Sequence, residues 1–260
     1  MDYNYHTHTS WCRHAKGKAA DYVARAVECG VKYMGFSEHA PYNFPDGHNS
    51  GYRIFPEETP CFIEEIRLLR EQYKDKIDIK LGYELECYPL YFKDMVKTAI
   101  DCGAEYLILG HHFLGSEQSG AFRSMSKTDD PDLLREYADS VIMGIKSGVF
   151  TYIAHPDIFN FRGDDKIYER EMRRICVAAK EADLPIEINF LGIRENRNYP
   201  RDDFWKIAGE VGTPVTFGCD AHEPYYAYDG GSLKVAEDMV KRFKLNYIGK
   251  PKIVDLKDKG

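Results

Sequence analysis

No apolar run in this 260-residue chain approaches the ~20 residues a membrane span needs. The opening Met1-Asp2-Tyr3-Asn4-Tyr5 has neither a basic n-region nor an apolar h-region, so no secretory leader is expected. Basic stretches long enough to track a phosphate backbone are missing too, and 42 acidic residues outweigh 35 basic ones. Nucleic acid is therefore not expected as a main partner. Seven cysteines (Cys12, Cys29, Cys61, Cys87, Cys102, Cys176 and Cys219) contain no C-x-x-C pair, and their number is odd. That pattern speaks against a disulfide framework and fits a reducing cytoplasm, with all seven read as structural. No repeat, linker or low-complexity segment divides the chain, so residues 1–260 are expected to form a single domain.

What the chain does have is a regular alternation of short apolar runs and amphipathic stretches. Strands are predicted at 2–6, Tyr33–Ser37, Ile77–Tyr83, Tyr106–Leu109, Phe150–Ile153, Pro185–Phe190 and Pro214–Gly218. Helices fall between them: Ala19–Cys29 closed by Gly30, and one capped by Thr59 with Pro60 at its first position. Another runs near Tyr91–Asp101, and one starts at Asp130-Pro131 with Leu134, Tyr137, Val141 and Ile145 as its stripe. Later helices are marked by Met172 to Ala179, Phe204 to Val211 and Leu233–Phe243. Repeated β/α units of this kind predict a closed parallel (β/α) barrel.

Seven of the nine histidines stand at predicted strand ends, where such barrels carry their chemistry. His6 and His8 follow the first strand, His39 the second, Glu84 the third, and His112 the fourth. His155 follows the fifth, Asn189 the sixth, and Asp220 with His222 the seventh; His14 lies just past the first cluster. His6 and His8 are two apart and so can grip one ion from one side. Glu84 is a natural bridge, because its two oxygens can hold two cations. Imidazole and carboxylate together suit divalent metals, and more than one here. Two ions a few ångströms apart would neutralise both attacking and leaving oxygens of a phosphoryl group, a hydrolase-type arrangement. His111 and His112 are adjacent and should point apart, so only one is expected as a ligand. His48, in a Pro/Gly-rich loop, is expected to be a solvated surface residue.

The stretch His6-Thr7-His8-Thr9-Ser10-Trp11-Cys12-Arg13-His14, with Ser37-Glu38-His39, Gly82-Tyr83-Glu84, His112-Phe113-Leu114, Ala154-His155-Pro156 and Gly218-Cys219-Asp220-Ala221-His222, resembles the PHP (polymerase and histidinol phosphatase) family. It is most similar to the histidinol-phosphatase branch, over nearly the whole chain and in motif order. The resemblance implies a distorted (β/α)7 TIM-like barrel holding three divalent ions (zinc, manganese or iron). One ion would sit on His6, His8, Glu84 and Asp220, a second on Glu84, His112 and His155, and a third on His14, His39 and His222. It favours His112 over His111, and it marks His14 as a departure from some relatives, which carry aspartate there.

Phosphate needs cations besides the metals, and arginine offers a bidentate fork. Arg194 follows the sixth strand, with Arg197 a nearby competitor, and Arg162 follows the fifth; the histidinol-phosphatase branch has similar arginines. Arg162, Arg194, Arg197 and Asn189 are thus the expected substrate-binding residues. The expected activity is that of a cytoplasmic, metal-dependent phosphomonoesterase acting on L-histidinol phosphate in histidine biosynthesis. Arg194 would stabilise phosphoryl charge, while Asp220, His39 or His222 would manage the proton. Residues 40–58 and 113–129 are long enough to be lids, and they offer Asp46 and Glu117 for a substrate ammonium. The competing readings are a PHP phosphoesterase for another small ester or nucleotide, and a non-catalytic metal-binding module.

Overall fold

Eight parallel strands, hydrogen-bonded in strict chain order from β1 to β8, organise the molecule. They are β1 (Tyr3–Asn4), β2 (Tyr33–His39), β3 (Asp78–Glu86), β4 (Tyr106–Gly110), β5 (Tyr152–Ile153), β6 (Ile186–Asn189), β7 (Pro214–Gly218) and β8 (Asn246–Tyr247). The computed structural model describes residues 1–118, 120–257 and 259; positions 119, 258 and 260 of the expected domain and loop lie outside the described residues.

The sheet is curled. Just past β1, Thr7 bridges Ala221, just past β7. His8 N donates to Ala221 O at 2.9 Å, and Ala221 N donates to His6 O at 3.2 Å. Two of the candidate clusters, from the two ends of the chain, are thereby stitched into one place. Inside the curl, the Tyr106 hydroxyl crosses from β4 to donate to the carbonyls of Tyr5 (2.8 Å) and Phe36 (3.1 Å).

Helices cover the outside: α1 (Ala19–Glu28), α2 (Thr59–Tyr73), α3 (Phe92–Asp101), α4 (Pro131–Ser147), α5 (Asp165–Glu181), α6 (Phe190–Arg194), α7 (Asp202–Val211) and α8 (Gly230–Phe243). In α4 the Asp130 side chain accepts from Asp132 N at 2.9 Å, Pro131 occupies the first turn and Gly148 closes the helix at φ 67°. Its stripe of Leu134, Tyr137, Val141 and Ile145 is buried, each side chain contributing roughly 1.5–3 kcal/mol.

Three details differ from the sequence reading. Phe190 does not end the sixth strand but opens α6, because Asn189 Oδ1 accepts from Gly192 N at 3.1 Å and starts a helical turn. Thr59 is the first residue of α2 rather than its cap, and its hydroxyl donates to Pro56 O at 2.7 Å. Beyond the seven expected strands, β8 pairs with the start of β7.

Candidate metal centre

Glu84 lies within β3, sharing the inward face with Gly82 and Glu86 by the two-residue period of a strand. Its two oxygens face different partners. Oε2 is 3.6 Å from His6 Nε2, 3.3 Å from His8 Nε2 and 3.4 Å from His39 Nδ1. Oε1 is 2.9 Å from His155 Nε2 and 3.7 Å from His112 Nε2. Asp220 closes the other side: its Oδ1 is 3.5 Å from His6 Nε2, 3.6 Å from His8 Nε2 and 3.3 Å from His222 Nδ1. His14 joins from the exposed edge, with Nε2 2.9 Å from His222 Nε2. All nine expected metal residues therefore meet around one point.

The backbone is bent to bring them there. His155 and Asp220 adopt positive φ values of 30° and 45°, a region costly for residues with a side chain (roughly 1–3 kcal/mol each). Room is made by two glycines: a Cβ at Gly110 would run into Glu84 Oε1, and one at Gly218 into Glu187 Oε1.

A second layer of carboxylates, unforeseen in the sequence reading, orients the imidazoles. Glu187 Oε1 lies 2.8 Å from His6 Nδ1, and its Oε2 accepts from His155 N at 3.1 Å. Glu86 Oε1 lies 2.6 Å from His112 Nδ1, and its Oε2 accepts from His112 N at 2.8 Å. Carboxylate contacts of this kind turn the opposite ring nitrogen toward a metal. The available signal for Glu187 was a lone carboxylate in an otherwise apolar strand, two residues before Asn189.

The electrostatics ask for positive charge. Burial alone would lower His6, yet Glu187, Asp220 and Glu84 hold it well above the ordinary imidazole range. His112, against the same burial, is pushed up to about 9 by Glu86 and Glu84. Burial would raise Glu84 and Asp220, but the surrounding imidazoles hold both well below the usual carboxylate range. Meanwhile His6 Nε2, both ring nitrogens of His8, His39 Nδ1 and His155 Nδ1 are buried without a hydrogen-bond partner among the described residues. Orphaned imidazole nitrogens gathered on ionised carboxylates fit divalent cations.

The ligand atoms approach one another in overlapping trios: His6-His8-Glu84, His6-His155-Asp220, His8-Asp220-His222 and His39-Glu84-His112. His39 thus lies with Glu84 and His112 while its ring also stands 5.2 Å from that of His14, which in turn is 4.8 Å from His222. A further trio, His8-Cys12-Glu38, brings in one of the cysteines read as structural, although its buried thiol donates to Thr9 O at 3.0 Å.

Above the cluster opens a cavity of ≈ 520 Å³. Its floor includes His14, His39, Glu84, His112, Asp220 and His222, and its walls include Tyr52, Phe113, Arg123, Arg194, Arg197, Tyr199 and Tyr226. Arg194 donates to Cys219 O at 2.6 Å and Asp220 O at 2.5 Å, and its guanidinium lies 4.4 Å from the Tyr226 ring centre. Arg197 donates to the Tyr199 hydroxyl at 3.0 Å and pairs with Glu195 at 2.7 Å.

The PHP domain model matches residues 4–190, well over half of the chain. The chain belongs to the PHP domain family. Among relatives of this PHP protein, a probable histidinol-phosphatase of Deinococcus radiodurans is 28% identical over 227 residues, covering 84% of this chain and 85% of the relative. A probable histidinol-phosphatase of Schizosaccharomyces pombe is 30% identical over 258 residues, covering 86% and 82%. The fold matches a histidinol phosphate phosphatase from Lactococcus lactis, solved with zinc, L-histidinol and phosphate, at a TM-score of 0.73, 20% identity and 95% coverage of both chains.

Some expected members of the PHP site stand elsewhere. Arg162 is exposed and donates to Asn160 Oδ1 at 2.8 Å, outside the cavity wall, because the bridge between Thr128 and Phe161 buries Phe161 and leaves its neighbour Arg162 exposed. Asn189 is buried; its amide donates to Glu187 at 2.8 Å and Asp220 at 3.0 Å while its oxygen caps α6, so it braces carboxylates instead of facing the cavity. Glu117, expected to meet an ammonium, is taken up by Arg53 at 2.6 Å. Asp46 lies outside the wall and accepts from Gln118 at 2.6 Å. His48 is half-buried beside Phe44, not fully solvated. His111 is buried beside Tyr88 and Tyr137, away from Glu84, while its neighbour His112 lines the cavity. Among the described residues, no helix is long and apolar enough to cross a membrane.

Proposed function

We propose that this PHP protein is a cytoplasmic, metal-dependent phosphomonoesterase that hydrolyses L-histidinol phosphate to L-histidinol and phosphate in histidine biosynthesis. The observation that carries the chemistry is Glu84, whose two oxygens serve two sets of imidazoles beneath an arginine-bearing cavity. The choice of substrate is supported by the histidinol-phosphatase relatives that match over more than four-fifths of the chain. Strands β1–β7 and the Thr7–Ala221 bridge support a distorted (β/α)7 barrel, to which β8 is added.

Three ions would be held by His6, His8, Glu84 and Asp220; by Glu84, His112 and His155; and by His14, His39 and His222. Zinc, manganese or iron suits these ligands. Such ions supply Lewis acidity to phosphoryl oxygens and lower the pKa of a bound water. The chain's own groups do the rest. Arg194, fixed by two backbone carbonyls, keeps further N–H donors for the phosphoryl oxygens. Asp220 is held ionised, and burial keeps His39 and His222 neutral, the latter down to about 4. These three can accept and pass on a proton at the cavity floor. Tyr52, Phe113 and Tyr226 wall the cavity with aromatic surface suited to an imidazole ring.

The test is substitution at the floor. His8→Ala and Glu84→Ala should each abolish turnover in zinc-replete protein while circular dichroism retains the wild-type fold. Turnover surviving in either variant would contradict the proposal.

A further inference from the structure

Three arginines line the cavity, and they are not equivalent. Arg194 directs two of its nitrogens at backbone carbonyls, and Arg197 is engaged by Glu195 and the Tyr199 hydroxyl. The Arg123 side chain makes no hydrogen bond or ion pair to any described residue; its guanidinium lies over the Phe113 ring, 5.4 Å from the centre. A guanidinium carries five donors and stays charged at any physiological pH, so Arg123 is the cavity cation with the most donors to offer a ligand.

Its position is set by the metal side of the site. Phe113 and Arg123 form an antiparallel bridge, and Leu114 N donates to Phe122 O at 3.0 Å. The next residue, Ser124, is buried; its N–H donates to His112 O at 2.8 Å and its hydroxyl to His111 O at 2.7 Å. The ribbon bearing Arg123 is therefore hydrogen-bonded to the backbone of His112 itself. An anion resting on the cluster would meet a cation whose backbone is held in place on the wall and whose donors are exposed.

We propose that Arg123 is a substrate-binding residue of this site, donating to the phosphoryl group from the wall that Phe113 and Arg123 form. The assignment rests on the reading of the cavity as a phosphomonoesterase site. It makes the paired stretches 113–114 and 122–124 a source of phosphate affinity, not solely a wall.

The test is binding of inorganic phosphate to zinc-loaded protein by calorimetry, for wild type, Arg123→Gln and Arg123→Lys, with zinc content and melting temperature measured in parallel. Loss of a charge-assisted contact corresponds to about 10–100-fold weaker phosphate binding in Arg123→Gln. Arg123→Lys, keeping charge but losing the fork, should fall between. Zinc content and melting temperature should not change, since Arg123 is exposed and touches no candidate ligand. Phosphate bound as tightly by Arg123→Gln as by wild type would overturn the assignment. Because phosphate alone is the probe, a wild-type protein that binds phosphate in this Arg123-dependent way but fails on histidinol phosphate would remove only the substrate reading.

Discussion

Arg53 and Glu117 form a fully buried ion pair, 2.6 Å apart, that joins the two longest strand-to-helix loops beside the metal cluster. Glu117 also accepts from the Tyr52 hydroxyl at 2.5 Å, and the Tyr52 ring stands edge-on to His39 with centres 4.9 Å apart. The loops expected to act as lids are thus locked to each other, and Tyr52 is held as a wall.

Removing one partner of such a pair leaves a buried charge without compensation, typically costing about 3–5 kcal/mol. Glu117→Gln should therefore lower the melting temperature by about 6–20 °C at pH 7. The pH dependence follows from the direction of the shift. Burial alone would raise the Glu117 carboxyl, but Arg53 holds it below its ordinary value. A carboxyl lowered in the folded state contributes stability above its unfolded pKa, about 4.3, and loses it as pH falls through the folded value. Thermal melts from pH 7 down to pH 3 should show a steeper acid loss in wild type than in Glu117→Gln. Equal melting temperatures at pH 7 would count against the clamp.

Glu187 should act on metal affinity rather than on the fold. Its contact with His6 Nδ1 fixes the ring that faces Glu84 and Asp220. Glu187→Gln is expected to weaken zinc binding by about 10–100-fold in chelator competition, with activity recovering at high zinc. Unchanged affinity would leave Glu187 without the positioning role.

Gly110 is a steric requirement of Glu84. Gly110→Ala places a methyl group against Glu84 Oε1, so zinc stoichiometry measured by elemental analysis should fall. Turnover is expected to drop by about 100-fold, the scale of a misplaced catalytic group. Full zinc content and full activity in this variant would show that Glu84 has room the structure denies it.

Stripping the metal should destabilise the protein as well as silence it. The ionised Glu84 and Asp220 and the unpartnered imidazole nitrogens would lose their compensating charge. For an ion present at 100 times its dissociation constant, linkage amounts to about 2.7 kcal/mol. Chelation should lower the melting temperature, and zinc or manganese should restore it.

Much of this was legible in the sequence because strand ends and ligands share one pattern. His6 and His8, Glu84, and Asp220 with His222 stand out by residue type and spacing, and the parallel alternation follows from apolar periodicity. The second layer was not legible. Glu86 and Glu187 are buried carboxylates whose partners lie 26 and 181 residues away, a relation that only the closed sheet creates. Arg162 lies outside the cavity lining because position after a strand does not say which way a loop side chain turns. Phe190 reads as strand in the sequence because an apolar run cannot reveal that Asn189 caps a helical turn.

Phosphate release from L-histidinol phosphate, measured beside a panel of nucleotides and simple phosphate esters with zinc- or manganese-loaded protein, tests the proposed activity. The expected result is a kcat/KM on L-histidinol phosphate far above that on every other ester. Comparable rates across the panel, or no release from L-histidinol phosphate, would contradict it.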